Sequence, residues 1–260
     1  MAADPTRFTH ALLRTPAKSA VNGLRDVDRG APDIDVLVQE HAAYEAALRD
    51  LGVQTRVLPA LEEFPDSVYM EDPALVFGSG AILLRPGAPS RFGEAAELKP
   101  VLEEMFPEVI ELQTGFSDGG DVLLTRDRVL IGLSARTNQE GAEELVEALA
   151  RLGRKGEIVK PSEGVLHFKT ACGLVGPNTV LATKELLSAD NYFAGMEVIE
   201  VPEGEEPVAN ALAVNGTVLI ADGFLKTEAL LRESGFIVRT LPLDQTMKLD
   251  AGLSCMSLRW

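Results

Sequence analysis

The chain has 260 residues, of which 46% are hydrophobic, and a formal net charge of −16 at pH 7. This acidic balance argues against a nucleic acid partner, and it serves either solubility or the attraction of small cations. No apolar run reaches the ~18 residues that span a membrane, and residues 1–10 lack the apolar core of a signal peptide. Two cysteines are too few for a disulfide framework, so we expect reduced thiols and a cytoplasmic protein. We expect a single domain over 1–260, with a frayed start at about 1–8.

The first predicted element is a strand at residues 9–14, which ends at Pro16 because proline cannot donate to a central strand ladder. Residues 19–32 contain glycine and proline without any period and are predicted to form a loop of the kind that often serves as a lid. The clearest helix spans residues 33–51, and a strand at 53–59 follows it. The apolar face of that helix carries Leu37, His41, Tyr44, Leu48 and Leu51.

The same order of elements, with two strands, a helix and a third strand, recurs along the rest of the chain. The hairpins are predicted at 74–84, 121–132, 170–182 and 211–221, the helices at 94–105, 138–153, 184–189 and 227–233, and the third strands at 109–112, 157–159, 198–201 and 237–241. One polar residue precedes the first strand of each unit: Asp72, Asp121, His167, Asn210 and Cys255. Their separations of 49, 46, 43 and 45 residues are typical of a repeat architecture, although average element lengths alone give similar spacings.

The fifth unit is complete only if the C-terminal strand at 255–260 pairs with the N-terminal strand at 10–14. That pairing closes a ring of five ββαβ units and leaves no open sheet edge between the two ends. The first strands of the units then line the centre of the ring. We therefore predict an α/β fold in which the five polar residues meet at one mouth.

Cys255 is the strongest candidate for chemistry at this mouth. A thiol needs a nearby base or cation to ionise, and histidine passes protons near neutral pH. A lone histidine is more often structural, but His167 shares the predicted mouth with a cysteine. Cys172 lies within an apolar strand and His41 on the apolar helix face, so both are predicted to be buried in the core.

Two clusters of carboxylates lie at the start of the predicted hairpins at 74–84 and 121–132. The first contains Asp66, Glu71 and Asp72, and the second contains Asp118 and Asp121. Carboxylates near a core are costly unless they are paired. They could bind a divalent metal, cap turns, or bind a guanidinium, whose planar N–H groups match carboxylates two bonds at a time.

Arg91 and Arg136 lie in loops beside the same hairpins. Each could bind a substrate carboxylate or remain a solvated surface charge. No glycine-rich phosphate loop, zinc-ligand spacing or serine nucleophile elbow occurs in the sequence. We therefore expect no cofactor and no metal.

Five motifs, taken together in this order and spacing, resemble the dimethylarginine dimethylaminohydrolase family of the guanidine-modifying (amidinotransferase) superfamily. They are Phe64-Pro65-Asp66-Ser67-Val68 with Glu71-Asp72-Pro73, Asp118-Gly119-Gly120-Asp121-Val122-Leu123, Ser134-Ala135-Arg136-Thr137-Asn138, Leu166-His167-Phe168-Lys169 and Leu253-Ser254-Cys255-Met256-Ser257. The resemblance covers residues 9–260. It implies a five-bladed α/β propeller, which agrees with the repeat, and hydrolysis of methylated arginine to citrulline and a methylamine.

The resemblance also implies roles for individual residues. Cys255 would attack the guanidinium carbon, His167 would protonate the leaving amine and then activate water, and Asp118 would orient His167. The implied substrate-binding groups are Asp72 for the guanidinium, Asp66 and the Leu24 carbonyl for the α-amine, Arg91 and Arg136 for the carboxylate, and Glu71 in the same acidic cluster. The loop at 19–32 corresponds to the family's lid. Met70 and Phe92 depart from the pattern.

Other readings of the same residues stay open. Arginine deiminase and agmatine deiminase are the nearest relatives by chemistry, but the chain has no room for the large helical insertion of the first. Agmatine deiminase acts on a substrate without a carboxylate, so its site would not need two arginines that bind one. An amidinotransferase would have to admit an amine in place of water. A catalytically silent arginine-binding module and a homodimer are further open possibilities.

Overall fold

The computed structural model describes residues 4–161 and 167–260. The strands are β1 (His10–Arg14), β2 (Gln54–Leu58), β3 (Ala74–Phe77), β4 (Gly80–Leu83), β5 (Val109–Glu111), β6 (Val122–Leu124), β7 (Val129–Gly132), β8 (Gly156–Val159), β9 (Cys172–Gly176), β10 (Thr179–Ala182), β11 (Glu197–Glu200), β12 (Leu212–Val214), β13 (Thr217–Ala221), β14 (Ile237–Leu241) and β15 (Ser257–Arg259). The helices are α1 (Ile34–Asp50), α2 (Glu94–Met105), α3 (Gln139–Arg151), α4 (Lys184–Ala189), α5 (Leu225–Glu233) and α6 (Asp244–Met247).

The strands form five three-stranded sheets, each with the same topology. Their orders are β15-β1-β2, β3-β4-β5, β6-β7-β8, β9-β10-β11 and β12-β13-β14. In each sheet the first pair is antiparallel and the second pair is parallel, with a helix in the connection to the third strand. Leu12 lies opposite Leu258, so the terminal strands pair as predicted. The ββαβ repeat is therefore confirmed, including the unit that joins the two ends.

The first strands of the five sheets surround one central cavity. It is lined by residues of β3, β6, β9, β12 and β15, among them Leu75, Leu123, Gly173, Ala213 and Leu258. These strands are almost wholly buried, whereas most positions of the third strands β2 and β11 are exposed or half-buried. The arrangement is a five-bladed α/β propeller, as predicted.

Short polar signals fix the boundaries of several elements. The Asp33 carboxylate accepts hydrogen bonds from two N–H groups in the first turn of α1, and the Asn138 side chain caps α3 in the same way. Asn215 and Gly216 have φ values of 50° and 95°, which suits the tight hairpin turn between β12 and β13. No helix within the described ranges is long and apolar enough to cross a membrane.

The structure differs from the sequence predictions mainly just before the first strands. Cys255 was predicted to begin a strand, but it lies in a 3₁₀ turn at Ser254–Met256. A similar turn at Phe168–Thr170 precedes β9, and α6 was not predicted. These turns are only three or four residues long, too short for a hydrophobic period to reveal them. They carry the chain around the rim of the central mouth.

The described part of the predicted frayed start, residues 4–8, contacts the turn between β12 and β13. Asn215 accepts a hydrogen bond from the Phe8 N–H at 2.9 Å and donates one from its own N–H to the Thr6 carbonyl. Residues 1–3 and 162–166 lie outside the described residues. The second range includes Leu166, the first residue of one of the five motifs.

Candidate active site

One mouth of the propeller holds a small cavity that gathers residues from distant parts of the chain. Eight of the predicted site residues line it: Leu24, Asp66, Asp72, Arg91, Asp118, Arg136, His167 and Cys255. Tyr69, Arg25, Asp26 and Asp250 complete most of the remaining wall. Three of the five residues that precede the first strands therefore meet in this cavity, namely Asp72, His167 and Cys255.

Cys255 is held in the 3₁₀ turn by contacts on its backbone. Its carbonyl accepts a hydrogen bond of 3.1 Å from the Glu71 N–H. Burial, together with the carboxylates of Glu71 and Asp72, raises the pKa of the Cys255 thiol to about 12. Without a bound cation the thiol is therefore neutral at pH 7, and a cation in the cavity would be needed to favour the thiolate.

His167 faces the carboxylate of Asp118. Its Nε2 lies 3.4 Å from Oδ2 of Asp118, and neither atom makes a hydrogen bond with another described residue. Burial lowers the pKa of His167, but the carboxylates of Asp118 and Asp72 outweigh it and raise the pKa to about 9. The imidazole therefore carries a proton at neutral pH, as an acid that protonates a leaving amine must.

The two glycines between Asp118 and Asp121 allow this close approach. A Cβ atom at Gly120 would lie 2.6 Å from Nδ1 of His167 and 3.0 Å from Oδ1 of Asp72, and one at Gly119 would collide with the Glu71 carbonyl. Asp121 is fully buried, and its carboxylate accepts a 2.9 Å hydrogen bond from the Phe168 N–H. The backbone next to His167 is thereby tied to the same segment.

We expect Gly120→Ala to lower turnover by about 100-fold or more, because the new methyl group must displace the imidazole from its position. The measurement is the steady-state rate of release of citrulline, the product that the sequence resemblance implies, with circular dichroism to check the fold. Gly78→Ala is a suitable control, since a Cβ atom there meets nothing within 4 Å. Wild-type turnover by Gly120→Ala would show that catalysis does not depend on this position of the His167 imidazole.

Asp72 and Arg91 form a buried ion pair at the wall of the cavity. Arg91 also donates to both carboxylate oxygens of Glu94, at 3.0 and 2.6 Å. Burial opposes ionisation of Asp72, but the charges of Arg91 and His167 outweigh it and lower the pKa of Asp72. Arg136 is only partly buried and makes no ion pair with a carboxylate in the described residues, so of the two arginines it has the greater capacity for an incoming anion.

The loop at 19–32 closes one side of the cavity, as expected for a lid. Oδ1 of Asp66 accepts a hydrogen bond of 2.9 Å from the Leu24 N–H. Asp250, with a φ of 52°, accepts one from the Asp26 N–H at 2.5 Å and pairs with Arg29 at 2.7 Å. The segment that precedes the nucleophile therefore holds the loop over the cavity.

Glu71 was predicted to join the substrate-binding carboxylates, but its side chain does not line this cavity. Instead it lies behind the nucleophile, where it pairs with Lys169 at 2.5 Å and Arg259 at 3.2 Å. It also accepts a hydrogen bond of 2.8 Å from the Ser254 hydroxyl. Sequence reasoning assigned no role to Lys169 or Arg259. Lys169 ends one of the five motifs and Arg259 is a charged residue inside the predicted C-terminal strand, and these positions were the sequence signals that could have revealed them.

The three carboxylates of the first acidic cluster bind different partners. Asp66 contacts the Leu24 N–H, Glu71 contacts Lys169, and Asp72 pairs with Arg91. Within residues 4–161 and 167–260, no group of three or more His, Cys, Asp or Glu side chains is arranged to hold a metal ion. Asp66 and Asp72 still face the cavity, where they suit an organic cation.

Known proteins resemble this chain along nearly its whole length. The model of the arginine deiminase family matches residues 59–207. A Pseudomonas aeruginosa protein named N(G),N(G)-dimethylarginine dimethylaminohydrolase is 38% identical over 255 residues, which cover 97% of this chain and 100% of that protein. A protein of the same name from Streptomyces coelicolor is 31% identical over 252 residues, or 96% of each chain. A solved structure of the Pseudomonas enzyme, a cysteine-to-serine mutant complexed with citrulline, has a TM-score of 0.93 at 37% identity and covers 98% of this chain and 100% of its own.

Proposed function

Because this chain belongs to the dimethylarginine dimethylaminohydrolase family, we propose that it hydrolyses Nω-methylated arginine, as asymmetric dimethylarginine or monomethylarginine, to citrulline and a methylamine. One observation carries the proposal. A single cavity holds a thiol, an imidazole beside a carboxylate and a second carboxylate, from Cys255, His167 with Asp118, and Asp72. These groups supply the nucleophile, the acid and base, and the binding charge that the reaction needs.

Substrate binding begins with charge. In this proposal Asp72 pairs with the guanidinium and Asp66, with the Leu24 carbonyl, holds the α-amine. Arg136 and Arg91 hold the carboxylate, and Arg136 contributes more because Arg91 is already neutralised by Glu94. Localising the guanidinium charge makes its carbon a better electrophile.

The chemistry then takes two steps. The bound cation favours the thiolate of Cys255, whose proton passes to solvent, and the thiolate attacks the guanidinium carbon and forms a C–S bond. His167 transfers its proton to the departing amine as the C–N bond breaks, which leaves a thiouronium adduct. The now neutral His167 takes a proton from water, whose oxygen attacks the same carbon. The C–S bond breaks as the proton of the added hydroxyl group passes to the departing sulfur, which restores the Cys255 thiol and releases citrulline. Two moderate barriers replace one high barrier.

We expect the protein to release citrulline and dimethylamine in equal amounts from asymmetric dimethylarginine. The decisive measurement compares kcat/KM for asymmetric dimethylarginine, monomethylarginine and free arginine at one enzyme concentration. A higher value for the methylated substrates supports the proposal. Turnover of free arginine alone, with release of ammonia, would contradict it.

A second candidate is an arginine deiminase, which the match of residues 59–207 to the arginine deiminase family model favours. The two reactions share the nucleophile, the acid and the intermediate, and they differ only in the leaving amine. The space around that amine decides between them. A non-catalytic arginine-binding module is the third candidate, and binding of arginine or methylarginine without any citrulline would favour it.

The thiol chemistry of the empty enzyme provides a pH test. Because the Cys255 pKa is raised to about 12, we expect inactivation by iodoacetamide to be slow at pH 7 and to accelerate continuously up to pH 10. Circular dichroism must accompany the series, because the raised pKa of His167 stabilises the fold fully below pH 6.5, and this contribution is lost as the pH rises through about 9. A plateau of the inactivation rate below pH 8 would contradict the neutral thiol.

We also propose that the enzyme acts in the cytoplasm as one catalytic domain over 1–260. Cys172 and Cys255 are both free thiols, which suits a reducing compartment. A homodimer is compatible with this assignment, since no residue of a second copy is needed to build the cavity. Size-exclusion chromatography with light scattering measures the oligomeric state directly.

A further inference from the structure

The mouth of the propeller opposite the active site holds a second, larger cleft. In four units the first strand runs from the catalytic mouth to a hairpin turn, and β15 of the fifth unit runs to the chain end, so the turns and the chain ends collect at the far mouth. The cleft there has a volume of about 330 Å³ and lies between the β3–β4 turn, the β6–β7 turn and the junction of the two chain ends. Pockets for small molecules begin at about this size.

The cleft is basic, in contrast to the rest of the molecule. Six of the 24 lysines and arginines line it, against two of the 40 acidic residues, Asp4 and Asp127. The six cations are Arg7, Arg126, Arg128, Arg154, Lys155 and Arg259. A chain with a net charge of −16 repels anions at long range, so an anion site requires such a local concentration of positive charge.

Three of these cations have no carboxylate partner among the described residues. Arg128 pairs with Glu157 at 3.0 Å, but the side chains of Arg126 and Lys155 make no ion pair. The Arg154 guanidinium lies over the Phe77 ring, 5.2 Å from its centre. The three unpaired cations repel one another in the cleft, even though acidic residues greatly outnumber basic ones in the chain as a whole. A bound anion would remove that repulsion.

Arg259 provides a second, independent observation. Its side chain is only 9% exposed, and its Nε has no hydrogen-bond partner in the described parts of the chain. Arg259 lines both the far cleft and the central cavity. A buried guanidinium with an unused donor has capacity for one more acceptor.

We propose that this far-mouth cleft binds a small anion with several negative charges, of the phosphate or phosphate-ester class. Guanidinium groups bind phosphate oxygens two at a time, which suits Arg126 and Arg154, while Arg259 offers its one unused N–H. The apolar floor formed by Val76, Phe77 and Leu124 leaves room for an uncharged portion of a phosphate ester. The site is separate from the residues assigned to the reaction.

The test is calorimetric titration of the full chain with inorganic pyrophosphate at 0.15 M NaCl. The double variant Arg126→Glu/Lys155→Glu changes two exposed residues of the cleft, and Lys184→Glu/Lys226→Glu applies the same charge change to exposed residues of two outer helices, α4 and α5. We expect one site in the wild type and in the control, and an affinity about tenfold or more weaker in the cleft variant. Equal weakening in both variants, or no binding to the wild type, would overturn the site. Tight binding of citrate with none of pyrophosphate would overturn the phosphate class.

Binding of an anion in the far-mouth cleft should also lower the rate of turnover. This consequence depends on the proposed function. Arg259 donates hydrogen bonds to the Ser254 carbonyl at 2.9 Å and to the Glu71 carboxylate. Ser254 lies in the turn that carries Cys255, and Glu71 is hydrogen-bonded to that turn. An anion that engages Arg259 weakens this support, so pyrophosphate should lower kcat about twofold or more in the wild type and the control, but not in the cleft variant. Binding without a change in kcat would overturn this link. Absence of turnover without pyrophosphate would instead refute the proposed function and leave the binding result unaffected.

Discussion

Replacing Cys255 with serine is expected to lower citrulline formation by about four orders of magnitude or more. The serine hydroxyl is nearly isosteric with the thiol but ionises far less readily, so a substrate cation cannot produce enough of the attacking anion. The turn at Ser254–Met256 should keep its structure, because its contacts run through the backbone and through Ser254. Asymmetric dimethylarginine should therefore still bind, and its binding can be measured by calorimetry while turnover is absent.

Cys172→Ala is the matched control for this variant. Cys172 is also a free cysteine, but it is fully buried in the first strand of the fourth sheet. Burial raises the pKa of its thiol beyond the range in which it could ionise. The control should retain activity with a modest loss of stability. Substantial citrulline formation by Cys255→Ser, or its loss in Cys172→Ala alone, would contradict the covalent mechanism.

Much of the architecture could be predicted because the sequence repeats one unit. Strands, helices and turn residues recur at similar spacing, and each signal is local. The spacing also located Asp72, His167 and Cys255 at one mouth, since the ring brings equivalent positions together. The 3₁₀ turns could not be predicted, because three residues show no period. They matter, since Cys255 owes its orientation to such a turn rather than to a strand.

Pairings between distant residues could not be predicted either. Glu71 and Asp72 are adjacent in sequence, yet Asp72 faces the catalytic cavity and Glu71 faces Lys169 behind it. The directions of these two carboxylates depend on the positions of Lys169 and Arg259 in the fold. Those cations lie 98 and 188 positions further along the chain from Glu71. Only the closed ring brings those cations to Glu71. The family resemblance grouped Glu71 with the substrate-binding residues because it compares motifs and contains no information on side-chain direction.

Deleting residues 256–260 is expected to destroy cooperative folding as well as activity. The deletion removes β15, whose pairing with β1 completes the unit that joins the two ends of the chain. Met256 and Leu258 are 0% and 3% exposed, and burial of each contributes roughly 1.5–3 kcal/mol. Trp260 packs edge-on against Phe106, and its carbonyl accepts the His10 N–H. Together with the lost ladder, this is comparable to the roughly 5–15 kcal/mol that stabilises a typical domain.

Urea unfolding followed by circular dichroism measures this effect, with deletion of residues 2–5 as the control. The control shortens the chain by a similar length but removes no residue of the described strands, so it should unfold cooperatively near the wild-type midpoint. Leu258→Ala provides an intermediate case, because it keeps β15 and should cost about 2–5 kcal/mol. If the chain without residues 256–260 unfolded cooperatively with the wild-type slope, the closing strand pair would not be needed for the fold. The assembly of the site around Cys255 would then depend on the other four sheets alone.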